Sequence, residues 1–179
     1  LSGVNFSGSI LEFIDFTKAS QPIIHSNYKY SSLKNSQLDN IDVSNINLTG
    51  VISMENTNFE KSILSDVIVT NASLSGSNMS GAILDRISFK DAKDILPGIY
   101  TFSSMADTNF KGRKDLSYID LTGVVNLCGS NFSDTNISNA NVSGTNLSGI
   151  NLSGSILHSI EFNKALHLLP VNYKHSSLS

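Results

Sequence analysis

Large apolar residues recur along this chain at every fifth position. Stepping by five from Leu127 meets Leu127, Phe132, Ile137, Val142, Leu147, Leu152, Leu157 and Phe162. A second run passes through Met54, Phe59, Leu64, Val69, Leu74, Met79, Leu84 and Phe89. Shorter runs join Leu1, Phe6, Leu11 and Phe16, and Leu33, Leu38, Val43 and Leu48. Two positions before each centre stands a small or β-branched residue, as at Ser130, Thr135, Ala140 and Thr145. The positions after each centre are mostly Ser, Gly, Asn or Asp.

Neither common secondary structure has this period. An amphipathic helix needs apolar residues at i, i+3, i+4 and i+7, and a step of five smears them over every face. A flat strand alternates with a period of two, and five is odd, so each step would flip the face. The period fits a chain that turns a corner every five residues. One large and one small side chain per side then point inward, and four sides make one coil of about 20 residues. Gly, Asn and Ser suit the corners, because they tolerate turn geometry or bond locally to the backbone. About seven to nine coils are expected, in a rod roughly 34 to 43 Å long at the strand spacing.

The units Asn141-Val142-Ser143-Gly144, Asn146-Leu147-Ser148-Gly149 and Asn151-Leu152-Ser153-Gly154 resemble the pentapeptide-repeat family, whose consensus is roughly A(D/N)LXX. The resemblance extends over most of the chain, about 28 units. It implies an all-β fold: a right-handed quadrilateral parallel β-helix, a solenoid filled by the central Leu or Phe and the small residue two before it. Residues 1–179 then form a single solenoid domain. Ser, Thr, Ile or Val often stands where the family has Ala, which predicts a wider or less regular coil.

A longer period overlies the short one. LSGVNFSGSIL, LSGSNMSGAIL and LSGINLSGSIL begin at Leu1, Leu74 and Leu147, 73 residues apart in both cases. An irregular stretch follows each: Ala19 to Ser31, Ala92 to Ser103 and Ala165 to Ser176. The prolines, Pro22, Pro97 and Pro170, all fall in these stretches. Proline is excluded from interior ladder positions, so three loops leaving the coil are expected. If the stretches add no sides, the loops stack on one face; if they hide imperfect sides, they spiral around the column. Single-residue slips from Leu48 to Met54, Phe110 to Leu116 and Leu121 to Leu127 read as bulges at corners.

Composition narrows the chemistry. Charged residues make up 15% of the chain, below the roughly 25% usual for soluble proteins. A net charge of -3 argues against a nucleic-acid partner. No apolar run approaches the roughly 18 residues of a membrane span. Cys128 is the only cysteine, so no disulfide within the chain and no cysteine metal site is expected. The chain starts without Met and in mid-pattern, so it reads as a fragment of a longer protein.

Few residues carry candidate chemistry. Cys128 follows the centre Leu127 and should point outward, with no base placed beside it. His25, His158, His167 and His175 have no ligand spacing. Glu12, Asp15, Asp85 and Glu161 are scattered rather than paired for glycoside cleavage. Sequons such as Asn47, Asn71, Asn131 and Asn146 arise automatically from the Asn-Leu-Ser pattern. Lys111-Gly112-Arg113-Lys114 is the densest charge run; it reads as a solvated corner or as a contact for an acidic partner. The aromatics of the irregular stretches recur in each unit. Exposed on a Ser/Asn surface they would mark a binding site; folded back, they would cover their own loops. The candidate partner-binding residues are therefore Tyr28, Tyr30, Tyr100, Phe102, Tyr173 and Arg113, with no catalytic, cofactor or metal residues.

The expected function is a non-catalytic interaction scaffold that binds a protein partner. The Ser- and Asn-rich texture resembles the β-helix domains of bacterial effectors delivered into host cells, among them the HECT-like ubiquitin-ligase effectors, which implies host-protein partners. Otherwise the protein would be cytoplasmic. The alternative within the family is a DNA-mimicking protector of gyrase, which needs an acidic stripe. A carbohydrate-active β-helix enzyme is the third reading.

Overall fold

The computed structural model describes residues 4–18, 26–168 and 171–178. Leu1, Pro22, His25 and Pro170 lie outside the described residues. Each side of the coil repeats one small design. On the side of Leu147, Asn146 bridges to His167 of the following coil, and Leu147 points into the interior. Ser148 and Gly149 turn the corner, and the Ile150 N–H closes the turn on the Leu147 carbonyl at 3.3 Å. Ile150 then points inward as the small residue of the next side. The third residue of the turn is left-handed, with φ 73° at Gly149. That conformation favours Gly, Asn and Asp, which accounts for the Ser-Gly and Asn that follow the centres.

All bridges between described residues are parallel and join positions 20 to 22 apart, from Asn58 with Asn78 to Asn5 with Asn27. The backbone ladder stacks the centres in columns. The first side carries Phe6, Tyr28, Leu48, Val69, Phe89, Phe110, Phe132, Leu152 and Tyr173. Leu11, Leu33, Met54, Leu74, Ile95, Leu116, Ile137, Leu157 and Leu178 follow on the second. The third side holds Phe16, Leu38, Phe59, Met79, Tyr100, Leu121 and Val142, and the fourth Val43, Leu64, Leu84, Met105, Leu127, Leu147 and Leu168. Phe89, Phe110 and Phe132 form a continuous ring stack, with centroids 5.0 and 4.5 Å apart. Two short 3₁₀ turns, Phe16–Lys18 and Phe162–Lys164, replace regular corners on the third side.

The Ser and Thr at the small inward position have a specific use. Thr57 donates its buried hydroxyl to the Leu33 carbonyl at 2.9 Å, and Ser77 donates to Met54 at 2.7 Å. Thr108 to Leu84 and Ser155 to Phe132 repeat the contact. In each case the accepting carbonyl is the one that already closes the turn of the coil before. The hydroxyls therefore tie successive coils together at the corners. Among the described residues no buried side-chain nitrogen or oxygen lacks a partner, so the departure from Ala is satisfied by hydrogen bonding.

The outward Asn residues are also engaged. Asn146 accepts from the Ser148 N–H at 3.0 Å and Asn151 from Ser153 at 3.1 Å. Their free amide hydrogens can climb the wall: Asn172 donates to Asn151, and Asn151 to Asn131. Asn thus fixes the corner conformation locally and links neighbouring coils as well.

Two expectations are corrected. The slips lie on the sides, not at the corners. At Leu48 to Met54 the turn closes normally on Val51, and the extra residue is Ile52, which points to solvent. Val125 is the extra residue before Leu127, again exposed beyond a normally closed turn at Val124. A corner admits only a four-residue turn, whereas a side can absorb one more residue as a bulge. The middle irregular stretch also stays in the wall rather than leaving it. Ile95 and Tyr100 are fully buried centres, and Pro97, after a cis peptide bond, passes between them.

Because each centre is buried only by its neighbours, a defect in the aromatic stack should be felt locally and strongly. Phe110→Ala is expected to destabilise the rod by about 3–5 kcal/mol, read as a fall in the urea unfolding midpoint. A loss under about 1 kcal/mol would mean that the three rings are not stacked in the interior.

Candidate interaction surface

The five candidate aromatics divide into three groups. Tyr28 and Tyr100 are centres of the first and third sides and are fully buried, so they are core residues, not a recognition surface. The Tyr100 hydroxyl donates to the Ile95 carbonyl at 2.7 Å, and burial pushes its pKa well above the ordinary tyrosine value. Burial also raises Tyr28, partly offset by a hydrogen bond with Ser26. Tyr173 is half-buried, with its ring edge-on to Phe162 at 6.1 Å. Tyr30 and Phe102 are exposed, and both sit at left-handed corner positions, with φ 61° and 58°. Tyr30 lies on the first corner under Lys29 Nζ, 4.9 Å from its ring centre. Phe102 lies on the third corner, so the two are not brought together.

Arg113 is buried too, which overturns its reading as part of a solvated corner. The corner residue of that run is Gly112, and Arg113 takes the inward small position of the next side. Its guanidinium donates to the carbonyls of Phe89 at 2.7 Å, Ala92 at 3.0 Å and Lys93 at 2.8 Å, and pairs with Asp115. The carbonyls belong to the coil before, at the start of the irregular middle stretch. Arg113 therefore satisfies groups that a regular side would pair otherwise. Lys111 and Lys114 remain exposed.

Phe102 belongs to a larger apolar feature. Its ring lies across Gly123 of the next coil, where an added Cβ would stand 2.6 Å from the ring. Val125 and Leu166 join it around an open depression of about 510 Å³, floored by Gly123 and Gly144 and edged by Thr122, Ser143, Asn146 and His167. Phe102, Val125 and Leu166 are 61%, 60% and 68% exposed, which makes this an apolar patch; single exposed isoleucines, Ile83 and Ile99, stand elsewhere on the same walls. Val125 and Leu166 were not among the candidates. The signal for Val125 was the slip after Leu121: an apolar extra residue on a side must face solvent.

The charges do not gather into one field. Arg86 forms a double hydrogen bond with Asp66, at 2.9 and 2.6 Å, and its guanidinium holds the Asp66 carboxyl below the usual carboxylate range. Lys34 pairs with Glu55 at 2.8 Å and Lys61 with Glu60 at 2.7 Å. Cys128 is exposed. Among the described residues no group of three or more His, Cys, Asp or Glu is placed to hold a metal, and no helix is long and apolar enough to cross a membrane.

Comparison with known proteins places this wall in context. The family model for pentapeptide repeats matches eight copies, over residues 52–91 and 115–154. No curated protein matches the chain in sequence. Among solved structures, full-length QnrB1, a plasmid-mediated fluoroquinolone resistance protein, matches with a TM-score of 0.51 at 15% identity, covering 98% of this chain and 92% of that one. A trypsin-treated form of QnrB1 matches with a TM-score of 0.50 at 16% identity, over 98% and 77% of the two chains. HetL, a pentapeptide repeat protein involved in heterocyst differentiation regulation in the cyanobacterium Nostoc sp. strain PCC 7120, is 17% identical over 98% of this chain and 81% of its own, with a TM-score of 0.40. The QnrB1 matches support the right-handed quadrilateral β-helix as the fold.

The burial of Arg113 makes a sharp expectation. Arg113→Met should cost about 3 kcal/mol, because carbonyls lose their donor. Arg113→Lys should rescue little, since one ammonium cannot replace the planar fork. Equal urea midpoints for Arg113→Met and the parent chain would return Arg113 to the surface.

Proposed function

We propose that this chain, a member of the pentapeptide-repeat family, is a non-catalytic scaffold that docks a protein partner on the depression around Phe102, Val125 and Leu166. The observation that carries the reading is the patch itself: three large apolar side chains, each more than half exposed, line one open depression. A phenylalanine at a left-handed corner is a costly choice where Gly or Asn would serve. Exposed aromatic and aliphatic residues on a rigid wall are the usual anchors of protein recognition. Tyr30, on the first corner, is a secondary contact in this proposal.

The setting proposed for the scaffold is a bacterial effector acting on host proteins. It is supported by the Ser/Asn texture of the units and the 73-residue superrepeat. Gyrase protection is the second reading, brought forward by the fold shared with QnrB1. The pairing of Asp66 with Arg86 and of Glu55 with Lys34 weighs against it, because a DNA mimic needs its acids unneutralised.

The test is affinity capture from host-cell and bacterial lysates with the parent chain and the double variant Phe102→Ser, Leu166→Ser. A partner held by the parent and lost at least about tenfold by the variant supports docking at the patch. Equal capture by both chains removes the patch from the function. Protection of purified gyrase from a fluoroquinolone by the parent chain, with no protein captured through the patch, would favour the second reading.

A further inference from the structure

A second groove lies one corner away, and its chemistry differs. It is an open groove of about 380 Å³ lined by Tyr118, Asn139, Ser143, Ser159, Glu161 and Lys164, with Ala140, Asn141 and Val142 along its floor. The volume falls in the range of roughly 300–1,000 Å³ typical of ligand sites. Tyr118 stands at the second corner with φ 64°. Tyr118 is 74% exposed, the most exposed tyrosine among the described residues.

The rung of the wall that floors the groove is open. In a regular side the centre N–H donates to the next coil, as Leu121 does to Asn141 at 2.9 Å, and the small residue's carbonyl accepts in turn, as Ile119 does from Asn141 at 3.0 Å. The 3₁₀ turn Phe162–Lys164 draws the next coil off this register. Val142 N–H and Ala140 C=O make no backbone hydrogen bond among the described residues. The wall closes again on both sides of the gap: Asn139 donates to His158 at 2.8 Å and Gly144 to Lys164 at 2.9 Å.

Side chains around the gap are similarly free. The hydroxyls of Tyr118, Ser143 and Ser159 and the side-chain amide of Asn139 hydrogen-bond to nothing among the described residues. Asn141 uses its oxygen on the Ser143 N–H at 3.1 Å and keeps its NH₂. Glu161 and Lys164 neutralise each other across the turn.

We propose that this groove is a binding site for a neutral saccharide. A bare tyrosine ring offers a face on which the C–H side of a sugar ring can pack. The opened rung presents one donor and one acceptor, and a hydroxyl can serve both. An extended peptide would need several consecutive rungs, and the intact bonds at Asn139 and Gly144 limit the gap to one. The Glu161–Lys164 pair leaves no net charge for a phosphate or an acidic ligand. The site is independent of the protein-docking patch, although Ser143 borders both.

The experiment is a titration of the ¹⁵N-labelled full chain with chitohexaose, cellohexaose, maltohexaose and laminarihexaose to millimolar concentration. At least one should give saturable shifts confined to the amides around Asn139 to Ser143 and Ser159 to Lys164, with Val142 among them. Tyr118→Asn, which suits a left-handed corner and so keeps the fold, should weaken that binding at least about tenfold. Tyr118→Phe should bind within about threefold of the parent, and Phe102→Ser should bind as the parent does. No saturable shift with any of the four sugars, shifts centred elsewhere, or undiminished binding by Tyr118→Asn would overturn the proposal.

Discussion

The turn that ends each side, with its third residue held near φ +60°, is the constraint on which the rest depends. It swings the chain through a corner in two residues, so that the centre before it and the small residue after it both point inward. Lengthening this turn would put the next centre outside. The extra residues Ile52 and Val125 therefore sit on the sides, where they disturb only themselves. The same turn leaves a centre carbonyl with spare acceptor capacity, and the buried hydroxyls of Thr57, Ser77 and Thr108 fill it from the next coil. Corner geometry and coil-to-coil cohesion are one interaction seen from two directions.

The corners also sort the surface. Among the described residues, nine of the 17 left-handed positions other than glycine are Asn or Asp, and these cost the chain little. Phe13, Tyr30, Phe102 and Tyr118 are exposed at the same kind of position, where an aromatic gains no burial to offset its strain. A solenoid has no cleft between domains in which to build a site. It can mark one by an unsuited residue at a corner, by an apolar residue on a bulge, or by a rung left open. Phe102 with Val125 shows the first two together; Tyr118 beside Val142 shows the first and third.

Most of the architecture was legible in the sequence, since the period of five admits little else and the eight centres from Leu127 to Phe162 name the interior directly. The irregular stretches were less legible. Pro97 reads as a reason to leave the wall, yet Ile95 and Tyr100 on either side of it are core residues. Tyr100 fits because its hydroxyl finds the Ile95 carbonyl, a contact that no spacing reveals. Arg113 misleads in the same way: charge predicts solvent, but the stretch that Pro97 distorts leaves carbonyls inside, and only a long forked donor reaches three of them. The opened rung at Val142 has no signature in the pattern at all, since Val142 reads there as a regular centre.

The central claim is that the five-residue side decides which aromatics face inward and which meet a partner. Footprinting of the five tyrosines by tetranitromethane, read by mass spectrometry under native conditions, tests it most directly. Tyr118 and Tyr30 should be nitrated first, Tyr173 more slowly, and Tyr28 and Tyr100 only when the chain unfolds. Nitration of Tyr28 or Tyr100 at the rate of Tyr118 would place the irregular stretches outside the wall and contradict the account.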